Sequence, residues 1–400
     1  MRQAGSASSG AFVPETLARA AWSRIAEPGD VVAGALVAAL GAERALTWLR
    51  EAGTGRGAPP GDGASEAVAP GRALAAGVDR WTPRLVRLDP VRELELVHRL
   101  GGGVVHPGAP GWPPGMDDLG PAAPPCLWVR GDLDLGDALG RSVALVGARA
   151  ATSYGEHVAA DLAAGLAQRR FSVVSGGAYG IDAAAHRGTL AVDGRTVVFL
   201  AGGVDRPYPA GNAELLERVL AGGGAIVSEV PPGSVPSKTR FLQRNRLIAA
   251  AARATVVVEA AWRSGALSTA GHAASLLRPV GAVPGPVTSM ASVGCHRLLR
   301  DGAAVCVTDA AEIAELAGDA GSDLAPERSG RPAEVDGLDD TARKVLDALP
   351  VVRGAAPESL ARAAGLSVSS VLAALGPLEL DGLAERDGAR WRRRRRDGRR

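Results

Sequence analysis

Four hundred residues, 46% of them hydrophobic, suffice for two or three domains with real cores. A net formal charge of only +2 excludes a global basic field that would advertise nucleic acid. Nine arginines against three acids between Glu385 and Arg400 leave the rest of the chain net acidic, so any polyanion site must be local.

Cys126, Cys295 and Cys306 form no CxxC pair and no metal-ligand spacing. They suit a reducing cytosol and supply neither a disulfide framework nor a zinc site. No charged N-terminal region precedes an uninterrupted apolar one, and no apolar run reaches bilayer length, so a cytoplasmic protein without signal peptide or membrane span is expected.

Residues 1–10 read as disordered. Residues 12–50 carry helical apolar spacing (Leu17, Trp22, Ile25, Val32, Leu36, Leu40, Leu46), which Pro28-Gly29-Asp30 breaks into two helices. The Gly/Pro/Ala-rich stretch near 53–71 reads as a flexible insert, and residues 81–100 as helices again. Residues 1–100 are thus expected to form a small helical domain of the SAM or helix-hairpin-helix kind, with packing favoured over DNA contact. Residues 104–134 are Pro/Gly-rich, with apolar islands at Val104-Val105, Trp112 and Cys126-Leu127-Trp128-Val129, and read as a lead-in that docks on the next domain.

Strand and helix then alternate seven times. After strands at 142–146 and about 173 come candidates at 196–200, 225–228, 255–259, 280–283 and 304–307. The pattern predicts an α/β domain over residues 101–318, an extended Rossmann-like, mainly parallel sheet with helices on both faces. Residues 319–336 read as a linker. Residues 337–392 read as a winged helix, with helices near 357–364 and 368–375 and a hairpin signal at Asp387-Gly388. Its candidate recognition segment, 367–375, has no basic residue, so a protein-contact or spacer role competes with base reading. Residues 393–400 form a basic tail, read as solvated.

The stretch Val173-Val174-Ser175-Gly176-Gly177-Ala178-Tyr179-Gly180-Ile181-Asp182, with His186 beyond it, reads as a strand, a Gly-rich turn and a helix start. Two readings compete: a phosphate cradle of backbone N–H groups, or a bare connection in an α/β sheet. Just upstream, Gly147-Ala148-Arg149 follows a strand, and Thr152 or Ser153 can cap the next helix. An arginine at a strand's carboxyl end beside a Gly-rich turn would make one anion site, which favours the functional reading. Beyond Ser228-Glu229, a long loop is expected to carry Lys238, Arg240, Phe241, Arg244, Asn245 and Arg246. Basic side chains with one aromatic suit a single-stranded polyanion, cations for phosphates and the ring for a base. Glu259 followed by Ser264-Gly265 is a further strand–loop–helix of the anion-cradling type.

Cofactor readings fail on spacing. Gly233 to Thr239 is too short for a P-loop, and no GxGxxG is followed by an acid at the next strand's end. Ser175, Asp182 and His186 lack a nucleophile elbow, and His186 is expected to bond within the fold.

The Ser175–Asp182 motif with His186, Tyr208-Pro209 with Asn212, Ser228-Glu229, Phe241 with Arg244-Asn245-Arg246, Glu259 with Ser264-Gly265, and Val283-Pro284-Gly285 together resemble DNA-processing protein A, the DprA/Smf family, over about residues 100–317. The resemblance implies a non-enzymatic, cofactor-free single-stranded-DNA binder that dimerises and helps load the RecA recombinase. It maps DNA contacts onto Arg149, Lys238 and Phe241, with the Ser175–Ala178 turn lining the same pocket and Arg244-Asn245-Arg246 shaping it. Ala148 stands where the family usually has serine, and Leu242-Gln243 where proline usually follows the phenylalanine. The alternative is a nucleotide-processing hydrolase like the lysine-decarboxylase-like phosphoribohydrolases. Their Pro-Gly-Gly-x-Gly-Thr signature is not matched, since Gly202-Gly203 is followed by Val204-Asp205.

Overall fold

A computed structural model describes residues 12–54, 71–326 and 338–394. The readings for residues 1–10, nearly all of the 53–71 insert, most of the linker and the end of the tail lie outside them. The chain divides into two compact units, one ending at Ala325 and the other starting at Pro326.

The first unit is built on nine strands: β1 Gly102–Val105, β2 Leu127–Arg130, β3 Ser142–Val146, β4 Ser172–Gly176, β5 Thr196–Phe199, β6 Ala225–Ser228, β7 Ala254–Val257, β8 Val280–Ala282 and β9 Val305–Cys306. Their order is β1-β2-β6-β5-β4-β3-β7-β8-β9. Strands β3 to β9 run parallel, while β2 pairs antiparallel with both β1 and β6. Short β-branched runs buried on both faces are what a parallel sheet demands. Along β3, Val143 and Leu145 enter one core while Ala144 and Val146 enter the other, the two-residue period of a strand. Two of the lead-in's apolar islands are β1 and β2 themselves, with Trp128 opposite Ser228. The third, Trp112, packs with Met116 and Leu127.

The strand order reverses at β3. From there β4, β5 and β6 step one way and β7, β8 and β9 the other. Loops leaving the carboxyl ends of β3 and β7 therefore diverge and open a crevice, where open α/β sheets bind ligands.

Two helix expectations need correction. Residues 12–53 form three helices, not two: Pro14–Ile25, Val31–Leu40 and Ala42–Gly53. Asp30 caps the second, as the Pro28-Gly29-Asp30 break implies, accepting from the Val32 and Ala33 amides. The extra break is Gly41, at φ +81°, a conformation that favours glycine. Apolar periodicity runs straight through it, so spacing alone conceals it. The next helix, Gly71–Trp81, begins ahead of the expected 81–100 stretch, where the insert read over 53–71 ends. A 3-10 turn, Thr82–Arg87, and the helix Pro90–Arg99 follow. These helices pack on the sheet: Ala20, Leu94 and Val97 share a core with Trp128, Val198 and Ile226. The Trp128 indole N–H donates to the Ser23 hydroxyl at 3.0 Å. Among the described residues no single helix is long and apolar enough to cross a membrane.

The second unit has helices Asp340–Ala348, Pro357–Ala364 and Val368–Leu380, then a hairpin of β10 Ala384–Asp387 and β11 Arg390–Arg393. Val345, Leu346, Leu360, Val371, Leu375 and Leu378 form its core. This is a winged-helix architecture.

His186, on the helix Ile181–Leu190, is fully buried. Its Nε2 lies 2.9 Å from the Gly176 carbonyl and its Nδ1 2.7 Å from the Thr196 hydroxyl. A carbonyl only accepts, so Nε2–H donates to Gly176, while the Thr196 hydroxyl beside Nδ1 itself donates to the Val173 carbonyl at 2.8 Å; it is burial, not the hydrogen-bond pattern, that assigns a neutral ring. Burial pushes its pKa down to about 4. The unfolded chain, near 6.5, binds the proton first as pH falls, so this group's stability is complete above about 6.5 and lost on descending toward 4. We expect the native chain to lose up to about 3 kcal/mol more than His186→Gln over that window in urea titrations. Parallel pH profiles would refute the assignment.

Candidate nucleic-acid interface

A cleft of about 880 Å³ occupies the β3/β7 crevice. Its first wall is the loop after β3. The Ala148 amide donates to the Glu259 carbonyl at 2.8 Å, and the Ile181 amide to the Ala148 carbonyl at 3.2 Å. Glu259 is 1% exposed; its carboxylate accepts from the Thr152 hydroxyl at 2.6 Å and the Thr152 amide at 2.9 Å. Thr152 in turn caps the helix Ser153–Gln168 by accepting from the Gly155 amide. A Cβ at Gly155 would strike the Glu259 carboxylate, so glycine is needed there. Gly180, at φ +74° against the backbone of Ala148 and Arg149, is needed equally. Held at both ends, the loop leaves Arg149 exposed, its guanidinium 4.4 Å over the Phe241 ring. The Tyr208 ring stands 5.8 Å from the Phe241 ring, tilted by 53°.

The second wall corrects the sequence reading. Residues 238–246 form no loop but the start of a helix, Lys238–Ala251, capped by Ser237, which accepts from the Arg240 amide. No glycine or proline interrupts it, and Lys, Arg, Leu, Gln and Ala are good helix formers. Its buried face carries Arg244, Asn245 and Arg246, so the apolar periodicity that marks a helix is missing at its start.

Winding the segment into a helix scatters its cations. Lys238, Phe241, Arg244 and Asn245 line the cleft, as positions three and four apart on one face must. Arg240 and Arg246 do not line it. Arg240 pairs with Glu27 at 3.1 Å. Arg246 pairs with Glu229 at 2.6 Å, both side chains about 95% buried. Arg244 is buried, donates to the Phe199 carbonyl, and has its pKa lowered by that burial against the opposing pull of Asp182. The Asn245 amide donates to the Gly265 carbonyl at 3.2 Å.

The glycine turn reaches the cleft only in part. The Ser175 hydroxyl is buried and donates to the Leu145 carbonyl at 2.6 Å. The Gly176 carbonyl is taken by His186 and the Gly177 carbonyl by the Asn212 amide. The Ala178 amide donates to Asp182, whose carboxyl pKa is raised by burial against the pull of Arg244. Of the four turn residues only Ala178 reaches the cleft; Ser175, Gly176 and Gly177 support it from behind. Ser264 and Gly265 both line it, Ser264 accepting from the Ala266 amide as a helix cap.

Arg263, which the sequence reading passed over, lines the cleft and is exposed. Its only signal is position, a basic residue between Glu259 and Ser264 at a strand's carboxyl end. Among the described residues Arg149, Lys238 and Arg263 have no ion pair or side-chain hydrogen bond, so three cations without a salt-bridge partner face one cleft, with the buried Asp182 carboxyl within electrostatic reach of Arg149.

Residues 103–318 match the family model described as DNA recombination-mediator protein A, and residues 329–389 match the DprA winged helix domain. A Mycobacterium tuberculosis protein named as a DNA processing protein, DprA, is 45% identical over 389 residues, spanning 95% of this chain and 94% of its own. The chain belongs to the DNA recombination-mediator protein A family. The DNA processing protein DprA of Streptococcus pneumoniae is 37% identical over 194 residues, 48% of this chain and 67% of that one. An X-ray structure of the pneumococcal protein superposes with a TM-score of 0.56 at 26% identity, covering 76% of this chain and 97% of the other. Its family gives this chain a DNA-processing role in recombination.

Within the Arg244-Asn245-Arg246 signature, the burial of Arg246 separates framework from contact. Arg246→Met should cost about 3–5 kcal/mol in urea unfolding by stranding Glu229, and adding Glu229→Gln should recover much of it. A stable Arg246→Met that loses only DNA affinity would overturn this division.

Proposed function

We propose that the β3/β7 cleft binds single-stranded DNA without sequence preference. The observation that carries this reading is the convergence of Arg149, Lys238 and Arg263, none of them in an ion pair, on the cleft that holds the Phe241 ring with Tyr208 beside it. Cations take successive phosphates, and an aromatic face accepts any base that is not already stacked in a duplex. Ala178, Arg244, Asn245, Ser264 and Gly265 shape the floor and rim.

The bound strand is then passed to the RecA recombinase by a cytoplasmic homodimer, without catalysis. The family's description as a recombination mediator supports the first step. Against a hydrolase, Asp182 is committed to the Ala178 amide and Glu259 to Thr152, which leaves neither carboxylate placed to activate water.

Fluorescence anisotropy with labelled poly-dT and its duplex, at two salt concentrations, tests the reading. We expect tighter, salt-sensitive binding to the single strand. Arg149→Ala, Lys238→Ala and Arg263→Ala should each lower the logarithmic salt slope by about 0.7 with unchanged unfolding midpoints. Phe241→Ala should cost about 1–3 kcal/mol of affinity. Undiminished affinity in all four variants would sink the site. Nucleotide hydrolysis without strand preference would put the hydrolase first. RecA assembly on a DNA strand should quicken when the native chain is added.

A further inference from the structure

Trp262 sits between two cleft-lining residues, Ala261 and Arg263, yet belongs to none of the hydrophobic cores of the described residues. It is 51% exposed, whereas the chain's six other tryptophans are buried or half-buried. The ring is not left to float. The Arg297 guanidinium, on the helix Val293–Arg300 beside β8, lies 5.1 Å from its centroid. Arg297 is itself steadied by Asp301, one turn on, at 3.3 Å. An arginine over an aromatic ring is also the arrangement of Arg149 over Phe241 inside the cleft. Arg263, uncompensated, adjoins Trp262 in the loop between them.

An indole that contributes to no core and is oriented by a cation is poorly explained by folding, since its exposure leaves apolar surface in water. A planar aromatic ligand would cover that surface. We infer that Trp262 is a second base-stacking station, on the rim of the cleft toward β8, for DNA that runs out past Arg263. This inference rests on the single-strand reading of the cleft and lengthens its footprint. Phe241 serves a base inside, Arg263 the phosphate between, and Trp262 with Arg297 a base outside.

Strand length separates the stations. A labelled dT strand of about four nucleotides is short enough to sit in the cleft alone, whereas one of about sixteen reaches the rim. We expect Trp262→Ala to weaken the longer strand roughly fivefold or more while leaving the short one unchanged, with Trp262→Phe recovering part of the loss. The longer strand should quench tryptophan emission in the native chain, and much of that quenching should vanish in Trp262→Phe. Far-ultraviolet circular dichroism checks the fold of each variant. Equal binding of the longer strand by native and Trp262→Ala proteins, with the short strand still bound, overturns the rim station and spares the cleft. A native chain that binds neither strand overturns the single-strand reading and this inference with it.

Discussion

The site depends on one buried carboxylate. Reversal of strand order at β3 leaves the loops after β3 and β7 without a strand between them to set their separation, and Glu259 bridges them. Its main-chain carbonyl takes the Ala148 amide, and its side chain takes both the amide and the hydroxyl of Thr152. An isolated carboxylate buried to this depth would be prohibitive; with two short charge-assisted bonds it becomes a tie. Arg149 lies between the tied residues, so its placement over Phe241 follows from a residue that does not line the cleft at all.

The charge of the cleft arises by subtraction rather than enrichment. Arginine is abundant in this chain, but most of those near the crevice are already spent. Arg246 is neutralised by Glu229, Arg240 by Glu27, and Arg244 serves a carbonyl beneath the floor. What remains is a small set without partners. An ion pair in place adds little field at a distance, whereas an uncompensated guanidinium in a concave, poorly screened setting adds its full share. Basic-residue density along the sequence is therefore a poor guide to where a polyanion would sit.

The sheet was legible because most of its strands are short runs rich in β-branched residues with glycine close by. The winged helix was legible because its capping serine, its glycine turn and its Asp-Gly hairpin are local chemistry. The start of helix 238–251 was not, because its first buried residues are Arg244, Asn245 and Arg246 rather than leucine, and the test for amphipathicity looks for the latter. The turn at Ser175 misled for the opposite reason. Its composition suits an anion cradle, but the Asp182 carboxyl meets the Ala178 amide and only Ala178 of the four turn residues lines the cleft, a placement that composition does not register. Arg263 carried no pattern, only a place in the topology, which becomes visible once β3 and β7 are known to be neighbours.

The N-terminal helices supply no residue to the cleft, yet they hold the helix that does. Arg24 donates to the Pro232 carbonyl at 2.7 Å and Glu27 meets Arg240, while Gly29 lies so close to the helix that a Cβ there would collide with the Gln243 side chain and crowd Arg246. The Glu27–Arg240 pair is half in solvent and contributes under about 1 kcal/mol. The buried Arg246–Glu229 pair, several times costlier to break, ties the same helix to the residue after β6. Because Lys238 and Phe241 lie on the same helix as Arg246, a shift of that helix would move both relative to Arg149. The N-terminal helices and the end of β6 therefore both hold the helix that carries Lys238 and Phe241, through side chains that themselves need touch no ligand.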